Sequence, residues 1–184
     1  MSVNAPNQEL GWKAPDFKLL STDDKFYSID DLKGNKGTVI AFICNHCPYV
    51  IKIADRLSKE AKELSKIEVS TVAIMSNDVL SYPEDSFENM KLFSKKFNFC
   101  FPYLYDESQN VARMYGAVCT PDIFGFNKDK VLNYRGRIDS EVINDKETYK
   151  RELFDAMTKI VHENIGPEKQ FNSFGCSIKW KKDE

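Results

Sequence analysis

Thr38-Val39-Ile40-Ala41-Phe42-Ile43 runs directly into Cys44-Asn45-His46-Cys47-Pro48. The first six residues are apolar after Thr38 and short, which reads as a strand buried on both faces. Beyond Pro48, Val50, Ile53, Ala54, Leu57, Ala61 and Leu64 recur at helical spacing, with Lys52, Lys59, Glu60 and Glu63 on the opposite side. A helix is expected to about Ser65. Two cysteines are therefore delivered from the end of a buried strand to the start of a helix.

Working outward, Glu68 to Met75 is a second β-branched strand. Upstream, Phe17–Leu20 and Phe26–Ile29 flank turn chemistry at 21–25 and predict a hairpin. Asp30 to Gly34 reads as a helical turn closed by glycine. Downstream, Phe87, Met90, Phe93 and Phe97 lie at helical spacing, and Phe101–Tyr105 is a short aromatic segment. A short helix is expected over Ser108–Tyr115. Cys119-Thr120-Pro121-Asp122 leads into a strand at Ile123–Phe126, then a turn at 127–130 and a strand from Val131 that Gly136 ends. A last helix is expected over Thr148–His162, with Tyr149, Leu153, Met157, Ile160 and Val161 inward and Gly166-Pro167 as its stop. The alternation predicts one α/β domain over 1–184: a mixed sheet covered by helices on both faces. Residues 1–13 read as a loose arm and 166–184 as an irregular tail.

With 184 residues, 42% of them hydrophobic, the chain can bury a sizeable core. Its formal net charge of −2 is mixed along the chain and forms no basic stripe, which argues against nucleic acid as a partner. The lysines at 179, 181 and 182 around Trp180 read as a solvated tail. The polar N-terminus resembles no signal peptide, and no apolar run suits a bilayer, so a cytoplasmic protein without a membrane partner is expected. Of the cysteines at 44, 47, 100, 119 and 176, only one pair is closely spaced. In a reducing compartment this favours chemistry at that pair over a disulfide scaffold.

The thiolate is the reactive form of cysteine, so the pair needs something that lowers a pKa. A helix N-terminus contributes about 0.3–1 kcal/mol, under one pH unit. His46, when protonated, is a candidate cation. Cys44, placed at the helix cap, is expected to be the exposed nucleophile, and Cys47, one turn in, the buried partner that resolves a mixed disulfide. A zinc site would need more ligands than His162 alone adds. Haem attachment would need histidine where Pro48 stands. Two unreactive structural cysteines remain an alternative. A peroxidatic cysteine of the peroxiredoxin type would have proline seven residues before it and a hydroxyl three before; Cys47 has Ile40 and Cys44 there, and Cys44 has Gly37 and Ala41.

Ala14-Pro15-Asp16-Phe17, the strand–CxxC–helix unit, Ser76-Asn77-Asp78, Tyr82-Pro83-Glu84-Asp85-Ser86, Thr120-Pro121, Tyr134-Arg135-Gly136-Arg137 and Gly175-Cys176-Ser177-Ile178-Lys179-Trp180 together resemble the thioredoxin-like branch of the alkyl hydroperoxide reductase/thiol-specific antioxidant (AhpC/TSA) redoxins. The resemblance implies a thioredoxin-like fold with an N-terminal β-hairpin extension, and a cis Pro121 facing the cysteines. It also implies that Thr120 offers its backbone to an extended substrate, with Gly136 and Asn45 beside the same groove and Arg137 and Asp139 at its border. The implied activity is thiol–disulfide oxidoreduction on disulfide-containing proteins or small thiols. A reductase or thiol donor would regenerate the pair, and no metal or organic cofactor is needed. Thiol-dependent peroxide reduction is the second reading. Copper binding is a third, although copper-chaperone relatives carry one more residue between the cysteines. Two departures stand out: strand 38–43 lacks the buried acid of thioredoxin, and Asn-His replaces Gly-Pro between the cysteines. Histidine there resembles the bacterial periplasmic disulfide oxidase, so a potential between about −270 mV and −120 mV is expected. Cys176 is a candidate third redox cysteine, while Cys100 and Cys119 read as packing residues.

Overall fold

The computed structural model describes residues 2–6, 10–140 and 150–182. In chain order the elements are β1 (Ser2–Asn4), β2 (Lys18–Ser21), β3 (Phe26–Ser28), α1 (Ile29–Leu32), β4 (Gly37–Phe42), α2 (Pro48–Ser65), β5 (Val69–Met75), α3 (Phe87–Lys96), β6 (Tyr103–Tyr105), α4 (Asn110–Tyr115), β7 (Cys119–Thr120), β8 (Asp122–Asn127), β9 (Leu132–Gly136), α5 (Glu152–Glu163) and β10 (Phe174–Ser177). Seven strands form one mixed sheet in the order β3-β2-β6-β5-β4-β8-β9. β4 runs parallel to β5 and antiparallel to β8, with Phe42 opposite Asp122.

β4 is buried along its whole length because both faces of the sheet are covered. Val39, Ala41 and Ile43 pack with the apolar stripe of α2 and with Met90, Phe93, Leu153 and Met157 from α3 and α5. Ile40 and Phe42 point the other way, toward Ile29, Val111, Ala112 and Tyr115. This period-2 alternation fixes the register, since a one-residue slip would exchange the two cores. Burying one such side chain, Leu57 for instance, is worth about 1.5–3 kcal/mol. The strand end carrying the cysteines is thereby held from two sides.

The layered α/β architecture and the hairpin are as expected. Thr148 and Tyr149, placed in the last helix by the sequence, lie outside the described residues. α1 is closed at Lys33 rather than by Gly34; its start is a capping box in which Ser28 and Asp31 bond each other's backbone. Two expectations at the chain ends are corrected. Within the arm, Ser2–Asn4 form a strand, Ala5 is buried, and Gly11 donates to Leu132 O. The tail contributes β10, which lies between β1 and β7 in a second, three-stranded sheet. Beyond it, Lys179 N bonds Asn77 and Lys181 N bonds Gln109, while Arg113 covers the Trp180 ring at 4.5 Å. The backbone and Trp180 of this segment are thus docked, while Lys181 and Lys182 stay exposed. Among the described residues no helix is long and apolar enough to cross a membrane.

Candidate active site at the β4–α2 junction

α2 starts at Pro48, and Cys47 is its N-cap, with φ −68° and ψ 121°. Proline favours the first helical position and holds the residue before it extended, so it places the helix cap three residues past Cys44. Cys47, not Cys44, therefore occupies the helix N-terminus. Both cysteines are fully buried, which corrects the expectation of an exposed Cys44. No disulfide links them.

The Thr120–Pro121 bond is cis, and Thr120 faces the pair. Its hydroxyl lies 3.3 Å from Cys44 Sγ, and its carbonyl accepts from Cys47 Sγ at 3.2 Å. Cys47 is held below an ordinary thiol, to about 5, first by the hydrogen bond from the Cys44 thiol, then by the Cys176 thiol and the backbone N–H groups of Val50 and Cys176, against the opposing effect of burial. The Thr120 carbonyl contact serves only the protonated thiol and so opposes ionisation. Cys44 is pushed up, first by its hydrogen bond to Cys47, then by burial and by the nearby Asp85 carboxylate. The shared Cys44–Cys47 contact, with the Asp85 carboxylate beside Cys44, favours the negative charge on Cys47 and the proton on Cys44.

Asp85 closes a single 3-10 turn, Pro83–Asp85, and is fully buried. Its carboxylate accepts from the backbone N–H of Asn45 (2.7 Å) and of His46 (3.2 Å), from Asn77 Nδ2 (2.7 Å), and contacts His46 Nδ1 (2.7 Å). The acid missing from strand 38–43 is thus supplied from another part of the chain. Cys44 Sγ, an Asp85 oxygen and a His46 ring nitrogen all lie within 4.8 Å of one another. Those ligand types suit a metal, but four contacts already use the acceptor sites of the Asp85 carboxylate, so coordination would have to displace one.

The remaining sequence candidates divide. His46 is partly exposed, stacked on Tyr82 at 5.4 Å and held by Asp85. Asn45 is buried, giving its amide to Glu84 O and accepting from Tyr103 Oη, so it ties the cysteine loop down. Gly136 packs under the 171–173 segment, where a Cβ would stand 2.6 Å from Phe171 O. It does not line the small cleft of about 90 Å³ that Pro121, Arg137, Asp139, Tyr49 and Phe174 share. Asp139 there is paired with Arg56. Cys119 is buried beside the site, with its Sγ 3.6 Å from Pro121 O. Cys100 is exposed rather than packed. Cys176 lies on β10 directly opposite Thr120.

A paired-cysteine loop at a strand–helix junction, opposite a cis-proline on a mixed sheet, defines a thioredoxin-like redoxin. The AhpC/TSA family model matches residues 10–135, and the chain belongs to that family. It is 31% identical over 117 residues to a protein of Coxiella burnetii named "Putative peroxiredoxin bcp", covering 64% of this chain and 72% of the relative. An uncharacterized conserved protein from Geobacillus kaustophilus is 41% identical with a TM-score of 0.95, over 100% of this chain and 98% of the other. A hypothetical protein from Sinorhizobium meliloti is 32% identical with a TM-score of 0.92, over 98% and 99%. The thioredoxin domain of a thiol-disulfide oxidoreductase from Bacteroides vulgatus shares the fold, with 16% identity and a TM-score of 0.66 over 85% and 100%.

Proposed function

We propose that this redoxin is a thiol–disulfide oxidoreductase whose working couple is Cys44–Cys47, with Cys47 rather than Cys44 as the attacking sulfur. The observation that carries this reading is the thiolate-favouring placement of Cys47 at the N-terminus of α2, with a protonated thiol beside it. Cys47 attacks a substrate disulfide, one substrate sulfur leaves as a thiolate, and a mixed disulfide remains. Cys44 then attacks Cys47 Sγ, and its proton goes to the second leaving thiolate. The substrate gains two electrons and the pair becomes a disulfide. A reductase or a thiol donor in a reducing cytoplasm regenerates it. The substrates are disulfide-containing proteins or small disulfides.

The test is a redox titration of a Cys176→Ser variant in glutathione buffers, read by thiol alkylation and mass. The expected result is a 44–47 bridge with a two-electron slope and a midpoint between about −270 mV and −120 mV. A pair that stays reduced at every poise would refute the couple.

One observation favours a second reading. Cys44 stands three residues before Cys47 and hydrogen-bonds it, from the position where a peroxidatic cysteine has a hydroxyl. The Coxiella relative carries a peroxiredoxin name. Steady consumption of hydrogen peroxide at the expense of added thiol, lost in Cys47→Ser, would establish it.

A further inference from the structure

β10 brings a third thiol to Cys47. The strand pairs antiparallel with β7, with Cys176 opposite Thr120 and Ser177 opposite Cys119. Its other edge is held by β1, where Ser2 lies opposite Cys176. Ile178 N continues the attachment by donating to Val118 O at 2.9 Å. Gly175 permits the approach: a Cβ there would stand 2.0 Å from Thr120 O and 3.0 Å from Pro121 Cδ. The backbone edge of Thr120, which an extended substrate would pair with, is therefore already occupied by the chain's own strand. That strand carries a cysteine at the residue facing Thr120. Cys176 packs against the core cluster that contains Cys47, and its thiol and backbone N–H help to hold the Cys47 thiol down. Cys176 is only partly buried, whereas Cys44, like Cys47, is fully buried; the Cys176 thiol is itself held up, by burial and by its contact with Cys47.

Resting on the proposed reactivity of Cys47, we propose that Cys176 is a second resolving cysteine, presented to Cys47 by β10 as a built-in substrate strand. After Cys47 has formed a mixed disulfide, Cys176 attacks Cys47 Sγ. The Cys47–Cys176 bond forms, the bond to the substrate sulfur breaks, and the leaving thiolate takes the Cys176 proton. Two protein thiols become one disulfide, and the substrate disulfide becomes two thiols. Strand pairing places the reacting sulfur beforehand, so little ordering remains for the exchange step.

The test uses an aromatic disulfide that releases a coloured thiolate, with every variant in a Cys100→Ser background. For Cys44→Ser the expectation is release of both halves of the reagent, and an intact mass lower by two hydrogens with no adduct. For the Cys44→Ser/Cys176→Ser pair it is release of one half, with the other retained on Cys47. An adduct retained by folded Cys44→Ser as firmly as by the double variant would overturn the proposal. Where Cys44→Ser is misfolded or inert, peptide mapping decides: the parent with both residues intact is oxidised to completion by glutathione disulfide and digested. A 47–176 cross-link is expected, and its absence overturns the proposal. The Cys176→Ser titration above is independent of these outcomes, since a missing 44–47 bridge there removes the proposed couple without touching the 47–176 result.

Discussion

Replacing Cys44 by alanine should move the acidity of Cys47, and the structure gives the size of the shift. In the parent, Cys47 is lowered to about 5, and the Cys44 thiol is the largest contributor. Alanine removes that donor and leaves the Cys176 thiol, two backbone N–H groups and the helix N-terminus. A hydrogen bond to a charged group is worth about 1.5–3 kcal/mol, or about 1–2 pH units. The midpoint should therefore rise to about 6–7, while Cys44→Ser, which keeps an O–H donor, should stay nearer the parent. The assay is ultraviolet absorbance of the thiolate against pH in a Cys100→Ser background. There Cys119 is raised by burial, and Cys176 is raised to about 11 by burial and by its bond to Cys47. Stability follows with a defined sign. Because the folded pKa lies below the unfolded value of about 8.5, the contribution from Cys47 is complete above that value and lost as pH falls through about 5. In Cys44→Ala the loss should set in at the same pH but be complete already at about 6–7, and so be smaller in total. An unchanged midpoint in Cys44→Ala, or a low midpoint that persists in Cys47→Ala, would refute the assignment of charge.

Two further outcomes follow from buried carboxylates. Asp85→Asn keeps one oxygen but turns an NH₂ toward N–H groups of Asn45, His46 or Asn77; a loss of about 2–3 kcal/mol in denaturant unfolding is expected, with the Cys44 midpoint falling as the neighbouring charge disappears. Asp122→Ala leaves Arg135 buried without the carboxylate it now meets at 2.6 Å, and urea unfolding should show a loss of about 3–5 kcal/mol, where a change under 1 kcal/mol would refute the pairing as a stabilising contact.

The sheet was legible because β4 and α2 differ in period: an apolar run that ends at a cysteine loop, then apolar residues every three or four. The start of α2 is legible too, in Pro48, which suits the first helical position. Pro48 makes Cys47 the cap, and that one difference exchanges the roles of the two sulfurs. Asp85 had no local signature as the partner of the pair. It lies about forty residues away in a turn, and only the packing of that turn on the cysteine loop brings it to Asn45 and His46. Asn45 stands between two cysteines, but the depth of the loop has its NH₂ donating to Glu84 O and its oxygen accepting from Tyr103 Oη. β10 is four residues long and alternates weakly, so its pairing with β1 and β7 depended on contacts that no window of sequence contains.

The three-stranded sheet also bears on how the protein assembles. Ser2 faces Cys176 across almost the whole described chain, so β1–β10 is among its most distant pairings. Closing so long a loop costs more chain entropy than any local pairing, although the cost grows only with the logarithm of its length. Docking of β10 on β7 also brings the Cys176 thiol and N–H that help hold Cys47 acidic, so the far end of the chain shares in setting the chemistry of a loop encoded near its start.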